Sequence, residues 1–151
     1  MQDYFHLSQI KISMFYSYAS IIAMIANFII TPYLLKKMQV RKIILVTGMA
    51  TIISGIIFII PKSSNSLWIT TALIGFFVPI IVAMLGAFIS GRASIIEQGS
   101  VLGNNQSLQV LAEAASALLG GMIFAINRQT PFIVFAIIGL LSLSIYKRLK
   151  H

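Results

Sequence analysis

Hydrophobic positions along the chain do not alternate with polar ones, and they form no narrow stripe. They come in five long blocks separated by short polar connectors. The blocks run over about 13–35, 43–60, 67–90, 101–126 and 131–146. Each holds roughly the 17–25 residues that an α-helix needs to cross a hydrocarbon core, the last being slightly short. Helices are the structure to expect, because an open sheet leaves backbone groups unpaired in lipid. A transmembrane barrel would show alternating strands of about ten residues instead. The pattern therefore predicts an all-α integral membrane protein with five transmembrane helices and a single membrane domain over 1–151.

The connectors are "KKMQVRK", "PKSSNS", "GRASIIEQGS" and "NRQT", and the chain closes on "KRLKH". Their basic residues are unevenly shared. Lys36, Lys37, Arg41, Lys42, Arg92, Lys147, Arg148 and Lys150 fall on one side of the alternating spans. Lys11, Lys62 and Arg128 fall on the other. The positive-inside bias then puts the C-terminus in the cytoplasm and the N-terminus outside, in a cell's inner (cytoplasmic) membrane. Tyr16, Tyr18 and Trp68 fall near the outer interface, and Tyr33 and Tyr146 near the inner one. "MQDYFHLSQIKI" does not read as a cleavable signal peptide. An odd number of spans with the N-terminus outside leads us to expect further chain upstream.

Composition agrees with the pattern. Of 151 residues, 58% are hydrophobic and 9% charged, against about a quarter charged in soluble domains. The net charge of +8 does not imply nucleic acid, because the basic residues form no continuous face along which a phosphate backbone could run. With no Cys, and with His6 and His151 near opposite ends, neither a thiol site nor a His-based metal site is expected. No cofactor is implied. No nucleophile–base pair or phosphate loop is present, so an enzyme is not expected.

The polar residues inside the spans are the candidates for function. Glu113, one of only three acidic residues, lies about 18 Å along its helix from position 101, close to the bilayer midplane. At about 100° per residue, Asn105, Gln109, Glu113, Ser116 and Gly120 share a stripe about 80° wide. Such a stripe suits a solute pathway, and a carboxylate in low dielectric suits proton exchange near neutral pH. The alternative is a protonated Glu that hydrogen-bonds a neighbouring helix. For Ser116 and Gly120 close helix packing is the plainer role. In the first span Ser20, Asn27 and Thr31 project within about one face, and Asn27 is either a solute ligand or an interhelical hydrogen bond. In the third span Gly75, Pro79 and Gly86 lie inside the helix. Pro79 should kink it, for gating or as a fixed bend. Arg92 and Glu97 are placed to pair in one loop, though an exposed pair is worth little.

Three stretches carry a resemblance. "TPYLLKKMQVRKIIL" resembles the basic loop after the eighth helix of major facilitator superfamily transporters, with Pro32, Lys36, Lys37, Arg41 and Lys42 in place and Gln39 where Gly is common. "GFFVPIIVAMLGAFIS" resembles the tenth helix. "EQGSVLGNNQSLQVLAEAASALLGG" resembles the start of the eleventh, through Gln98, Gly99, Gly103, Ser107, Leu108, Gly120 and Gly121. It departs by Ser116-Ala117 where Gly-Pro is common. The drug–proton antiporter branch, with its tetracycline exporters, is the nearest likeness. It covers almost the whole chain as helices eight to twelve, a partial major-facilitator bundle. The resemblance implies that Asn27, Gln109 and Glu113 line a central cavity, and that the third span helps close it. It also implies a small-molecule substrate, proton coupling, and a partner supplying the N-terminal half and helix seven. Residues used for coupling often lie in that half. The competing expectation is a non-transporting remnant, or a small helical subunit packed against another membrane protein.

Overall fold

The structure, a computed structural model, describes residues 8–57, 64–126 and 130–148. All regular structure among these is helical. Five helices are long and apolar enough to cross a membrane: α1 (Gln9–Lys37), α2 (Val40–Ile57), α3 (Ser64–Ser90), α4 (Gln98–Ile126) and α5 (Thr130–Arg148). Each begins one to four residues before its apolar block. The cause is visible at α1, where the Ser8 hydroxyl accepts from the Lys11 N–H at 3.4 Å and caps a polar first turn. The carbonyl of Gln39 plays the corresponding part at α2, accepting from Lys42 and Ile43. Terminal polar turns carry the helices out of the hydrocarbon, so that the 27 residues of α3 span about 40 Å. The expected end of the second span, residues 58–60, lies outside the described residues, as do Lys62, Arg128 and Lys150.

α3 is the hub. It packs most extensively on α2, then on α1, while α5 packs on α2 beside α3. α4 touches α3 and α5 only lightly. The core where α1, α2 and α3 meet consists of Ala26, Ile43, Ile44, Ile80 and Met84. Phe15 and Leu67 form a second small cluster with Ile12 and Trp68.

Lipid tails are as apolar as leucine, so helices in a membrane gain little from hydrophobic burial against each other and depend on close packing. In α2 and α5 glycines make that packing possible. A methyl group at Gly55 would lie 2.5 Å from Phe135 Cε1. One at Gly139 would lie 2.8 Å from Ile52 Cγ1, and one at Gly48 would lie 2.7 Å from Leu143 Cδ2. The three contacts follow one antiparallel register, each helix inserting side chains into the other's glycine notches. Buried hydroxyls on α2 are satisfied within the helix. Thr47 donates to the Ile43 carbonyl at 2.7 Å, Thr51 to Thr47 at 2.8 Å and Ser54 to Ala50 at 2.7 Å. They need no partner across the interface.

Gly55→Ala is expected to cost about 1–3 kcal/mol by overpacking against Phe135. Gly99→Ala on α4, where nothing lies within 4 Å of the added carbon, should leave stability unchanged or slightly raised. Unfolding in detergent, monitored by circular dichroism, compares the two.

Candidate functional site

α3 packs against α1 and more lightly against α4, while α5 packs against α2 and lightly against α4. The site candidates sit at similar depth on α1, α3 and α4. Asn27 is ten residues from the Lys37 end of α1, about 15 Å. Gln109 and Glu113 are eleven and fifteen residues from the Gln98 end of α4, about 16 and 22 Å. Pro79 and Gly75 are eleven and fifteen residues from the Ser90 end of α3, again about 16 and 22 Å. All three reference ends lie on one side of the bundle.

The half-buried positions of α4 are Gln98, Val101, Asn105, Gln109, Gly120 and Ile123, which share an arc of about 100°. Thus Asn105 and Gln109 lie on the inward side of α4, while Glu113, at the edge of the stripe, and Ser116 are exposed. Among the described residues nothing hydrogen-bonds or ion-pairs with the Glu113 carboxylate. At Gly120, among the described residues, no atom outside its own helical turns lies within 4 Å of an added carbon. The same holds at Gly99, Gly103 and Gly121 of α4 and at Gly86 of α3.

α1 differs from the expected straight helix. Between α-helical stretches Gln9–Ile25 and Thr31–Lys37 it makes a π-helical segment, Ala26–Ile30. Both the backbone N–H and the hydroxyl of Thr31 donate to the Ala26 carbonyl, the latter at 3.0 Å. The extra residue in this turn shifts the helical phase. Ser20 and Asn27 remain exposed while Thr31 is buried, so the expected single face is broken. The signal was Pro32, which cannot donate to the helix and disturbs the turn before it. It lies inside an apolar block, next to the basic loop.

Gly75 marks the closest approach of α1 and α3. A carbon added there would lie 3.1 Å from the Ala19 carbonyl oxygen and 3.4 Å from Ala19 Cα. It is also the residue whose carbonyl loses its usual helical donor to Pro79, four residues on. Beside it, Ile12, Phe15, Tyr16, Ala19, Thr71 and Ile74 line a pocket of about 280 Å³. A groove of about 580 Å³ runs between α3 and α5 over the floor of α2, past Gly48, Thr51, Ile81, Phe135, Gly139 and Tyr146. A wide, open hollow faces Gln9, Ser13, Ser17 and Trp68. None of these three is lined by Asn27, Asn105, Gln109 or Glu113. The four lie on two helices: Asn27 on α1 at a depth close to that of Gln109 on α4, with Asn105 and Glu113 about 6 Å to either side of Gln109 along α4.

The two ends of the bundle differ in charge. At one, Arg41 donates to the Lys147 carbonyl at 3.1 Å and lies 6.0 Å from the Tyr146 ring. Arg92 sits 4.4 Å over Phe88, whose ring meets Tyr146 edge-on at 5.3 Å. Lys37 lies 4.5 Å over Tyr33. The basic connectors therefore converge on one face. Arg92 stacks on Phe88 in place of the expected pairing with Glu97, whose carboxylate accepts from the Ser94 hydroxyl at 2.7 Å. At the other end Trp68 stacks on Phe15 at 4.1 Å and meets Tyr18 edge-on at 5.2 Å.

The sequence model of one family, the Major Facilitator Superfamily, matches residues 1–150. The chain belongs to the major facilitator superfamily. The family supports membrane transport by a major facilitator protein, and it points away from an enzyme. No curated protein and no solved structure matches significantly. Among the described residues of this major facilitator protein, no group of His, Asp or Glu could hold a metal ion.

Two outcomes test this geometry. Gly75→Val should lower stability by about 1–3 kcal/mol, because the added carbons meet backbone on α1. Tyr146→Phe should leave stability unchanged or raise it by about 1 kcal/mol, since the buried Tyr146 hydroxyl has no partner among the described residues. Thermal unfolding of both variants in one detergent gives the answer.

Proposed function

We propose that the chain is part of a proton-coupled transporter that exports small molecules by alternating access, with Glu113 taking up and releasing the proton. The observation that carries this reading is the exposed, unpaired carboxylate at mid-depth on a transmembrane helix. Facing lipid, it costs about 2.5–3.5 kcal/mol on insertion scales. A water-filled path or a partner surface removes that cost. Asn105 and Gln109 extend the polar stripe along α4, and Asn27 offers an amide at similar depth on α1. Pro79 and Gly75, at the α1–α3 crossing, are the hinge by which α3 opens and closes the path.

The partner is an N-terminal half with helix seven. α4 supports it, having no buried position across its membrane window and four glycines with open space around them. Ser116 and Gly120 pack against that partner, and the apolar groove between α3 and α5 has the form that receives a further helix. The likeness of the basic loop and of the third and fourth helices to helices eight, ten and eleven supports a C-terminal-half position and the drug–proton antiporter branch. The basic end faces the cytoplasm of an inner membrane, with the N-terminus outside. The open α4 glycines fit equally a small helical subunit that packs on another complex without transporting, and that is the alternative.

Glu113→Gln separates them. In the assembled protein, expressed at the unmodified level, proton-driven efflux of a fluorescent amphipathic dye is expected to fall at least tenfold. Unchanged efflux removes the coupling role, and absence of any efflux from the unmodified protein favours the subunit.

A further inference from the structure

The π-helical segment of α1 and Pro32 together leave the Asn27 backbone carbonyl without its donor. In a π-helix each carbonyl accepts from the N–H five residues on, as the Ala26 carbonyl does from Thr31. The Asn27 carbonyl would then accept from residue 32, which is Pro32 and has no N–H. The donor that an α-helical pattern would give Asn27 is the Thr31 N–H, which is engaged at Ala26. The Thr31 hydroxyl is committed to the same Ala26 carbonyl. No described side chain donates to Asn27. Asn27 is exposed and about 15 Å inside the helix end.

An unpaired carbonyl at that depth costs several kcal/mol against hydrocarbon. Irregular backbone is tolerated inside membranes where it lines a watery cavity, and there such carbonyls serve as ligands for cations. Asn27 carries two acceptor oxygens, the freed peptide oxygen and its side-chain oxygen. The side-chain nitrogen is a donor, but the residue as a whole has one more acceptor oxygen than an ordinary helical Asn. The group that fits is a cation rich in N–H donors and without acceptors of its own.

We infer that the Asn27 peptide carbonyl, freed by the π-turn and Pro32, is a ligand for the ammonium group of an amine substrate. This rests on the transport reading, and it assigns a second contact point on α1, distinct from the α4 carboxylate. It distinguishes protonated primary amines from quaternary ammonium ions, which have the same charge and no N–H.

Asn27–Phe28 is the only Asn-Phe pair in the sequence, so labelling Asn with ¹³C at the carbonyl and Phe with ¹⁵N singles out this carbonyl in solid-state NMR. The protein in lipid bilayers is titrated with n-butylammonium and, separately, with tetraethylammonium. Butylammonium is expected to move the Asn27 carbonyl resonance downfield, and tetraethylammonium is expected to leave it in place. Pro32→Ala restores an N–H at residue 32 and should weaken the butylammonium response at least tenfold with helix content unchanged. A carbonyl that ignores butylammonium, or that answers both ions alike, overturns the inference. The two readings fail separately. A silent carbonyl leaves Glu113 coupling standing, and a carbonyl that responds while Glu113→Gln leaves efflux unchanged strikes only the coupling role.

Discussion

The structure depends first on the rule that backbone N–H and C=O groups in lipid must find partners within the protein. That rule makes every described element a helix and determines how the polar side chains inside them behave. Thr47, Thr51 and Ser54 turn their hydroxyls back onto their own helix, which allows α2 to be buried on several sides at no cost in unpaired donors. The exceptions to the rule are two prolines, and they fall where the candidate pathway lies. Pro79 strips a donor from the carbonyl of Gly75, at the crossing with α1. Pro32 does the same to α1 itself, where the chain answers with a π-turn rather than a break. The two prolines thus leave backbone carbonyls without a helical donor at Asn27 on α1 and Gly75 on α3.

A second constraint shapes the packing. Without a hydrophobic drive between helices, contact has to be close to be worth making. α2 and α5 meet that demand by alternating glycine notches with Phe135, Ile52 and Leu143. α4 has comparable glycines and nothing in them. The contrast is internal to the molecule: the glycines are filled between α2 and α5 and, among the described residues, open on α4. α4 reads as a helix shaped for neighbours on the side that carries Glu113.

The five helices were legible in the sequence because the cost of unpaired backbone and the thickness of the bilayer together leave little choice for blocks of that length. The aromatic residues at both ends, and the basic cluster that shares one of them, were legible for the same reason, through interface chemistry. The glycine interlock was not. Gly48, Gly55 and Gly139 lie in three separate turns, and only the register of α2 against α5 gives them a common role. The π-turn was missed because phase arithmetic at 100° per residue assumes an unbroken helix. One inserted residue buried Thr31 and left Asn27 exposed. Arg92 and Glu97 illustrate a different limit, since proximity in a loop says nothing of the competing Phe88 face and Ser94 hydroxyl. The stripe on α4 was legible as a stripe, but its division into inward amides and an outward carboxylate depends on which neighbours α4 has.

The division of that stripe bears on mechanism. Asn105 and Gln109, neutral amides with both donors and acceptors, are placed where α4 turns toward α3 and α5, so their needs can be met by protein. Glu113 is placed where α4 turns away. An amide can stay half-buried beside other helices, whereas a carboxylate in the proposed coupling role needs two environments, one that tolerates its charge and one that does not. A position at the edge of a helix, neither sealed by its own bundle nor committed to a fixed donor, is where a moving partner surface can alternate those environments. Sealed inside the five helices, the same carboxylate would have been held in one state.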